Sequence, residues 1–282
     1  GEVKVDTSVF RLEGVTKRYG DLVALNDASL SVGANEYLSF LGPSGSGKTT
    51  LLRVIAGFEA PEKGRIFFEG RDITNVQAHA RGIGFVFQNF ALFPHLTVMQ
   101  NVGFGLANGK SGIAAAEVER RAAEMIDLVG LSGMEGRGVD QISGGQRQRV
   151  ALARTLAMKP KLVLLDEPLG ALDANLRSRM RNELRAIRER LGVTFLHVTG
   201  SETEALAMGD RVVVLDRGTI IQTGAPGEIY DRPASPDVAN FLNRFNLFEG
   251  TLANGSFTSS FGTAKVHVAT RANRDVYAVR YD

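Results

Sequence analysis

A glycine-rich stretch at residues 42–50 has the residue types and spacing needed to hold phosphate groups. Its sequence, GPSGSGKTT, matches G-x-x-x-x-G-K-[ST] and lies between a strand-like apolar run and a helical pattern, a setting that disfavours an incidental turn. Glycines let backbone N–H groups turn toward phosphate oxygens, and the start of the following helix adds partial positive charge. We predict that Lys48 reaches the outer phosphates of a nucleotide and that the Thr49 hydroxyl binds Mg²⁺. The predicted phosphate cradle consists of Gly42, Pro43, Ser44, Gly45, Ser46, Gly47, Lys48, Thr49 and Thr50.

Two acidic residues end the apolar stretch LVLLDEP at 162–168. In a protein with such a phosphate-binding loop, an aspartate at this strand end holds the Mg²⁺ shell and a following glutamate polarises the attacking water. Asp166 and Glu167 fit these two roles. An Asp-Glu pair by itself is more often a solvated strand end, so the interpretation depends on the phosphate cradle.

Strands and helices alternate along most of the chain and would position these motifs. Residues 9–32 have strand-like alternation around a turn at Gly20 and Asp21, and helical spacing is present at 114–129 and 174–191. The uninterrupted apolar run LVLLD is typical of a strand that is covered on both faces. This pattern predicts a largely parallel, helix-covered sheet. After about residue 226, the sequence predicts two short helices broken by prolines and then small strands.

The composition excludes several functional classes. Of the 282 residues, 44% are hydrophobic and 23% are charged, and the net charge of +2 is too small to favour a general nucleic-acid binder. The absence of cysteine excludes disulfides and thiolate metal sites and fits a reducing compartment. No stretch reaches the ~18 apolar residues of a membrane span. We therefore expect a cytoplasmic protein that meets a membrane through its partners, and no nucleic acid.

The stretch QISGGQRQRVALARTL at 141–156, together with the two motifs above, resembles the ATP-binding cassette (ABC) transporter ATPases. ISGGQ is similar to the family's signature, with Ile142 in place of the commoner leucine. The resemblance covers about residues 8–240. It implies ATP and Mg²⁺ as ligands and an α/β P-loop fold with a mainly parallel sheet, an antiparallel β subdomain and a helical subdomain at about 90–160. It also implies a head-to-tail homodimer, in which ATP held by one copy is contacted by the other copy's Ser143, Gly144, Gly145, Gln146 and Asp173.

Further positions take roles from the same resemblance. Tyr19 corresponds to the aromatic residue that stacks on adenine, although a lone tyrosine near a turn is more often a packing residue. Gln88 corresponds to the glutamine that joins Mg²⁺ to the membrane-facing groove, and Asp173 ends the GALD loop that crosses the dimer interface. The implied catalytic residues are Glu167, Gln88 and Lys48, and the implied Mg²⁺ ligands are Thr49, Gln88 and Asp166.

Within the family, two stretches resemble bacterial importer ATPases: FQNFALFPHLTVMQNVGFGL and GAPGEIYDRPASPDVANFLNRFN. This resemblance implies two transmembrane permease subunits, docked near residues 88–100, and a periplasmic or extracellular solute-binding protein. It also implies a peripheral location at the cytoplasmic face of the bacterial inner membrane. Such proteins usually continue into a C-terminal β-rich regulatory domain. We therefore expect an ATPase domain at 1–240 and a partial, OB-like segment at 241–282.

One position departs from the family's pattern. The strand corresponding to FLHVT is normally followed by His-Asp, whose histidine contacts the γ-phosphate and the attacking water, but here Gly200 stands at the histidine position. His197 is three residues earlier, which places it roughly 10 Å away along a strand and on the opposite face. We therefore expect His197 to be a core residue and predict Mg-ATP binding with weak hydrolysis. Three explanations stay open: compensation by Ser201 or a water, a slow or regulated ATPase, and an engineered substitution that traps the ATP-bound state.

Two other functions are compatible with parts of the sequence. A soluble ABC ATPase that acts on DNA or ribosomes typically has two cassettes or a long coiled-coil insertion, whereas here Lys48 and Ser143 are 95 positions apart with no sustained heptads between them. A non-hydrolysing nucleotide-binding regulator is suggested by Gly200 alone. The energy-coupling subunit of an importer accounts for more of the motifs.

Overall fold

Three β-sheets and the helices packed on them make up the part of the chain that the computed structural model describes, residues 7–109, 112–170, 172–242, 245–253, 256–260, 262–265 and 276–280. The β-strands are β1 (Ser8–Tyr19), β2 (Leu22–Gly33), β3 (Tyr37–Leu41), β4 (Lys63–Phe68), β5 (Arg71–Asp72), β6 (Gly84–Val86), β7 (Leu162–Asp166), β8 (Thr194–Thr199), β9 (Arg211–Asp216), β10 (Thr219–Gly224), β11 (Phe245–Ala253), β12 (Ser256–Ser259), β13 (Gly262–Lys265) and β14 (Val276–Arg280). The α-helices are α1 (Lys48–Ala56), α2 (Val98–Asn108), α3 (Ala115–Leu128), α4 (Gly144–Ala157), α5 (Ala174–Leu191), α6 (Glu202–Met208), α7 (Pro226–Asp231) and α8 (Pro236–Phe241).

The central sheet has the strand order β10-β9-β3-β8-β7-β6 and is parallel except for the β9–β10 pair. This topology confirms the predicted mainly parallel α/β fold. The carboxyl ends of β3, β7 and β8 lie at one edge of the sheet, and the phosphate-cradle loop, the acidic pair and Gly200 follow these three ends. Open α/β sheets bind their ligands at this edge.

Both faces of the central sheet are covered, which explains its uninterrupted apolar strands. Along β7, Leu162 and Leu164 join a core with α1 and the antiparallel sheet β2-β1-β4-β5, whereas Val163 and Leu165 join a second core with α2, α3, α4 and α5. The predicted β1–β2 hairpin and the helices predicted at 114–129 and 174–191 are present.

Helix α2 was not predicted from the sequence, because its two glycines lower helix propensity. Packing explains their presence: a Cβ on Gly103 would lie 3.0 Å from Val118 Cγ1 of α3, and one on Gly105 would lie 2.7 Å from the Met158 sulfur. The signal that the sequence does contain is a capping box, in which the Thr97 and Gln100 side chains accept each other's backbone N–H groups. Strand β10 was also not predicted.

The predicted β-rich C-terminal extension is present as an antiparallel sheet with the order β13-β12-β11-β14. The predicted strand AKVHVAT lies largely outside the described residues, and the domain boundary near residue 240 stays a prediction.

Within the described ranges, no helix has both the length and the apolar character that a membrane crossing requires.

Candidate active site

The loop between β3 and α1 has a shape that only glycine permits at two positions. A Cβ on Gly42 would lie 2.2 Å from Leu215 O, and a Cβ on Gly47, whose φ is +100°, would lie 2.4 Å from Ala24 O. The turn between β9 and β10 holds the loop from the other side, because Gly218 N–H donates to Ser46 O over 2.8 Å. Backbone packing therefore fixes the loop before any ligand binds.

Lys48 begins α1 and folds back over this loop. Its ammonium donates to Gly42 O over 2.5 Å, to Pro43 O over 2.9 Å and to Ser46 Oγ over 3.3 Å, and the residue is only 6% exposed. Burial lowers the pKa of Lys48, while the charges of Glu167 and Asp166 act in the opposite direction. A phosphate group would offer this ammonium stronger, charged acceptors than the loop carbonyls do.

A cavity of about 580 Å³ opens beside the loop and has the size of a small-molecule site. Of the predicted residues, it is lined by Tyr19, Glu167 and the cradle from Ser44 to Thr50. Tyr19 is 41% exposed, so one of its surfaces is available to a ligand.

Sequence reasoning missed four residues that line the same cavity: Leu22, Val23 and Ala24 at the start of β2, and Arg217 in the β9–β10 turn. The first three follow Tyr19 across the predicted hairpin turn. Their position near Tyr19 could therefore have been predicted from that hairpin. Arg217 has no local signal, because it reaches the cavity through contacts between Gly218 and residues near the start of the chain.

The two acidic residues follow β7, and their backbone is strained at Glu167. Glu167 has φ +43°, a left-handed conformation that costs a non-glycine residue roughly 1–3 kcal/mol and that clusters at functional sites. Its N–H donates to Val198 O of β8 over 3.0 Å, which holds it in this conformation. Burial and the neighbouring Glu167 charge raise the pKa of Asp166, with Arg53 and Lys48 opposing them.

Gln88 does not lie in this cavity among the described lining residues. It is exposed just beyond β6, in a loop where Phe90 and Ala91 have φ values of +64° and +45°. The guanidinium of Arg154 on α4 holds this loop by donating to Phe90 O over 3.0 Å and to Ala91 O over 2.8 Å. The loop of Gln88 is therefore fastened to the helix that the signature begins.

The signature residues and Asp173 also lie outside the described lining of the cavity. Ser143 caps α4: its hydroxyl accepts from Gln146 N–H over 3.3 Å, and the Gln146 side chain accepts from Ser143 N–H over 2.9 Å. Asp173 caps α5 by accepting from Leu176 N–H over 2.9 Å. Ser143, Gly144 and Asp173 are exposed, whereas Gly145 is buried against Leu176. One copy of the chain does not bring these residues to its own phosphate cradle.

Gly200 lies exposed after β8, and apart from its two chain neighbours no described residue has an atom within 4 Å of the position that a Cβ would occupy there. Its φ is outside the left-handed range, so neither space nor backbone conformation requires glycine at this position. The prediction for His197 is confirmed: it is a fully buried strand residue, bonded to Tyr37 and Glu204.

The oxygen ligands implied for Mg²⁺ suit that ion, which binds proteins through a few hard oxygens together with substrate phosphates. Thr49 is exposed beside Lys48, and Asp166 is partly exposed at the end of β7. No cluster of three or more histidine or acidic side chains in metal-binding geometry occurs in the described residues, so a metal held by protein side chains alone is not indicated there. This donor set fits an ion that is bound mainly by a nucleotide.

Comparisons with known proteins give a consistent result. The ABC transporter family model matches residues 25–170. Over 247 residues, the chain is 51% identical to the sulfate/thiosulfate import ATP-binding protein CysA 2 of Rhizobium meliloti, covering 87% of this chain and 67% of that protein. It is 51% identical to the spermidine/putrescine import ATP-binding protein PotA of Acidothermus cellulolyticus (84% and 62% covered) and 48% identical to the Fe(3+) ions import ATP-binding protein FbpC of Photobacterium profundum (86% and 69% covered).

Solved structures agree with these relatives. The dimeric, post-hydrolysis ATP-binding cassette MJ0796 bound to ADP and Pi superposes with a TM-score of 0.69 at 31% identity, covering 77% of this chain and 98% of that one. The protein cbiO1 from Clostridium perfringens, part of the ABC transporter complex cbiONQ, gives 0.75 at 29% identity, covering 84% and 95%. The family match, these relatives and the geometry of the phosphate cradle lead to one conclusion: the chain belongs to the ABC transporter family and is one of its ATP-binding, ATP-hydrolysing subunits.

Proposed function

We propose that this chain is the ATPase subunit of a bacterial ABC importer and works as a homodimer. The observation that carries the proposal is the separation, within one copy, of the phosphate cradle from the exposed tip of α4. A capped helix start such as Ser143–Gln146 favours anions, yet it lines no part of its own copy's cavity among the described residues. In a head-to-tail dimer, this tip and Asp173 of each copy would contact the nucleotide held by the other copy. The dimeric structure of MJ0796 with ADP and Pi supports the formation of a dimer.

In this dimer, the chain's own residues would divide the work between binding and hydrolysis. The loop N–H groups and Lys48 would hold the phosphates, and Tyr19 would stack on the adenine. Glu167 would orient and polarise the attacking water. Mg²⁺, held by Thr49, Asp166 and Gln88, would neutralise phosphate charge.

A second surface supports permease docking. A groove of about 850 Å³ lies between the parallel sheet and the helices α2 and α4, and its lining includes Phe85, Phe87, Phe93 and Phe104. Glu69 and Lys161, which form an ion pair, also line it. An apolar helix of a permease subunit would fit this surface. Phe87 and Ala91, on either side of Gln88, line this groove, and Arg154 holds the same loop. Movement of the permease would therefore reach the nucleotide through Gln88.

The relatives support an importer rather than a soluble ATPase that acts on DNA or ribosomes. Three of them have nearly the same identity to this chain, 48–51%, but are named for three different solutes. Sequence identity in the ATPase subunit therefore does not indicate which solute is transported. We propose that permease subunits and a periplasmic or extracellular solute-binding protein choose the solute. The ATPase would then lie at the cytoplasmic face of the inner membrane.

Hydrolysis would be slow in this chain because Gly200 provides no side-chain hydrogen-bond donor beside the γ-phosphate. A preorganised donor of this kind commonly contributes about 10²–10³ in rate. Gly200 is not among the described residues that line the cavity, so ATP binding would be affected less than turnover.

The dimer is tested by Glu167→Gln, which removes the carboxylate but retains the shape of the side chain. With saturating Mg-ATP, we expect the apparent mass in analytical ultracentrifugation to double, with one ATP bound per chain. Lys48→Ala in the same background is the control and should remain monomeric. An ATP-saturated Glu167→Gln protein that stays monomeric, alone and with its permease, would refute the proposed arrangement.

A further inference from the structure

Three polar side chains form a buried chain of hydrogen bonds behind the active site. His197 of β8 lies with its Nδ1 2.6 Å from Tyr37 Oη and its Nε2 2.6 Å from Glu204 Oε1. The three residues are 0%, 1% and 4% exposed, respectively. None of them lines the nucleotide cavity in the described part of the chain, so the reaction scheme above leaves them without a role.

Both ring nitrogens of His197 have a hydrogen-bonding partner: Tyr37 Oη at Nδ1 and Glu204 Oε1 at Nε2. The Tyr37 hydroxyl also lies 3.8 Å from the Met208 sulfur. Leaving one of these buried groups unpaired is unfavourable, which makes the geometry of the three resistant to change. Substitution by a purely apolar core would remove this directional constraint.

Glu204 connects the buried chain to the loop that contains Gly200. It lies in the first turn of α6, and its backbone N–H donates to the Ser201 hydroxyl over 3.3 Å. Ser201 N–H in turn donates to Thr199 Oγ1 over 3.0 Å. The backbone on both sides of Gly200 is therefore held by residues 199, 201 and 204. Thr199 is buried as the last residue of β8, and Glu204 is buried on the other side of the loop through its contact with His197.

Strand β8 also accepts a hydrogen bond from the backbone of Glu167, the proposed catalytic residue. Val198, next to His197 on β8, accepts the N–H of Glu167, which has the strained positive φ. The far end of α6 is held separately: Arg185 of α5 donates to Ala207 O, and Arg188 pairs with Asp210. Helix α6 is thus fixed at its end by surface arginines and at its start by Glu204.

We propose that Tyr37, His197 and Glu204 act as a positioning network for ATP hydrolysis, which holds the 199–201 loop and the start of α6 in register with Glu167. The network touches no substrate and acts through the loop. This inference rests on the proposed ATPase function. It predicts that loosening the network reduces turnover while ATP binding is retained.

The test compares Glu204→Gln and Tyr37→Phe with Glu202→Gln, which makes the same chemical change on the same helix outside the network. We expect Glu204→Gln to lower kcat about tenfold and Tyr37→Phe about threefold, with KM for ATP within twofold of the parent in both. Glu202→Gln should leave both constants unchanged. Circular dichroism melting shows whether each variant is folded, and only folded variants are compared.

A second measurement uses the Gly200→His background, where the introduced imidazole depends on the loop for its placement. We expect Glu204→Gln to remove most of the rate gained from Gly200→His, so that the two effects are not additive. Single-turnover hydrolysis measures this cycle even if steady-state rates are low. Unchanged kcat in folded Glu204→Gln, or parallel changes in kcat and KM, would overturn the network while leaving the ATPase proposal intact. Failure of the parent chain to bind Mg-ATP would overturn both.

Discussion

The phosphate cradle and the hydrolytic edge of this protein are built in different ways. The cradle, residues 42–50, is complete within one chain and is fixed by backbone contacts that leave no room for a Cβ at Gly42 or Gly47. The hydrolytic edge, the carboxyl ends of β7 and β8 with Asp166, Glu167 and Gly200, depends on side chains and has free space at Gly200. Binding is therefore encoded in backbone shape, whereas turnover is encoded in groups that a single substitution can add or remove.

This difference predicts unequal tolerance to mutation. A side chain at Gly42 or Gly47 has to move the backbone of neighbouring strands, because its Cβ would meet Leu215 O or Ala24 O. A change at the hydrolytic edge alters the rate of a step without altering the shape of the site. Each of the following experiments tests one side of this comparison.

The largest effect is expected for Gly47→Ala in the cradle. The new Cβ would lie 2.4 Å from Ala24 O at a residue with φ +100°, so the loop and the start of α1 must shift. We expect the Kd for ATP to rise at least 100-fold, measured by isothermal titration calorimetry. Gly45→Ala is the matched control: its φ is +77°, but apart from its chain neighbours no described residue has an atom within 4 Å of its Cβ, so a loss of about tenfold or less is expected. Equal losses in the two variants would mean that backbone packing does not decide binding.

The next effect is expected for Gly200→His at the hydrolytic edge. The position has space for a Cβ and a backbone conformation outside the left-handed range, so a side chain can begin there without strain. We expect kcat to rise by about 10²-fold, because a donor acting on the γ-phosphate is worth this much, while the Kd for ATP changes less than threefold.

Phosphate release under steady-state conditions measures this gain, and Gly200→Ala should show none. A parent chain that already hydrolyses ATP as fast as Gly200→His would show that the hydrolytic edge is compensated elsewhere, for example by Ser201. The contrast between the two regions would then hold for binding only.

The sequence predicted those features that depend on local pattern. The hairpin β1–β2, the strand–loop–helix around Lys48 and the burial of His197 all follow from periodicity and short motifs, and the structure has them. Helix α2 could not be predicted in this way, because the contact between Gly103 and Val118 outweighs its low propensity.

Side-chain contacts between residues distant in sequence also could not be predicted. Tyr37 and His197 are 160 positions apart, and no local pattern pairs them across β3 and β8. The roles of the site residues stay predictions. The structure places Tyr19 and Glu167 on one cavity with the cradle, whereas the exposed tip of α4 is not among the described lining residues, and its contact with a second copy's nucleotide stays a prediction.

Arg217 is the site residue that no sequence pattern indicated, and its substitution should have the smallest effect. It lines the cavity from a turn that is bonded to the cradle through Gly218. We therefore expect its charge to affect ATP binding and not turnover. Its side chain is 85% exposed and also pairs with Asp216, so solvent screens most of its attraction for phosphates.

For Arg217→Ala we therefore expect the Kd for ATP to rise about three- to fivefold at low salt and the difference to shrink at 0.5 M NaCl, with kcat unchanged. Arg190→Ala, which removes an exposed arginine from the end of α5, is the charge-matched control and should leave both constants unaltered. A salt-independent loss would show that Arg217 supports the turn rather than the nucleotide. A loss of kcat at unchanged Kd would show that Arg217 contributes to hydrolysis and not to ATP binding.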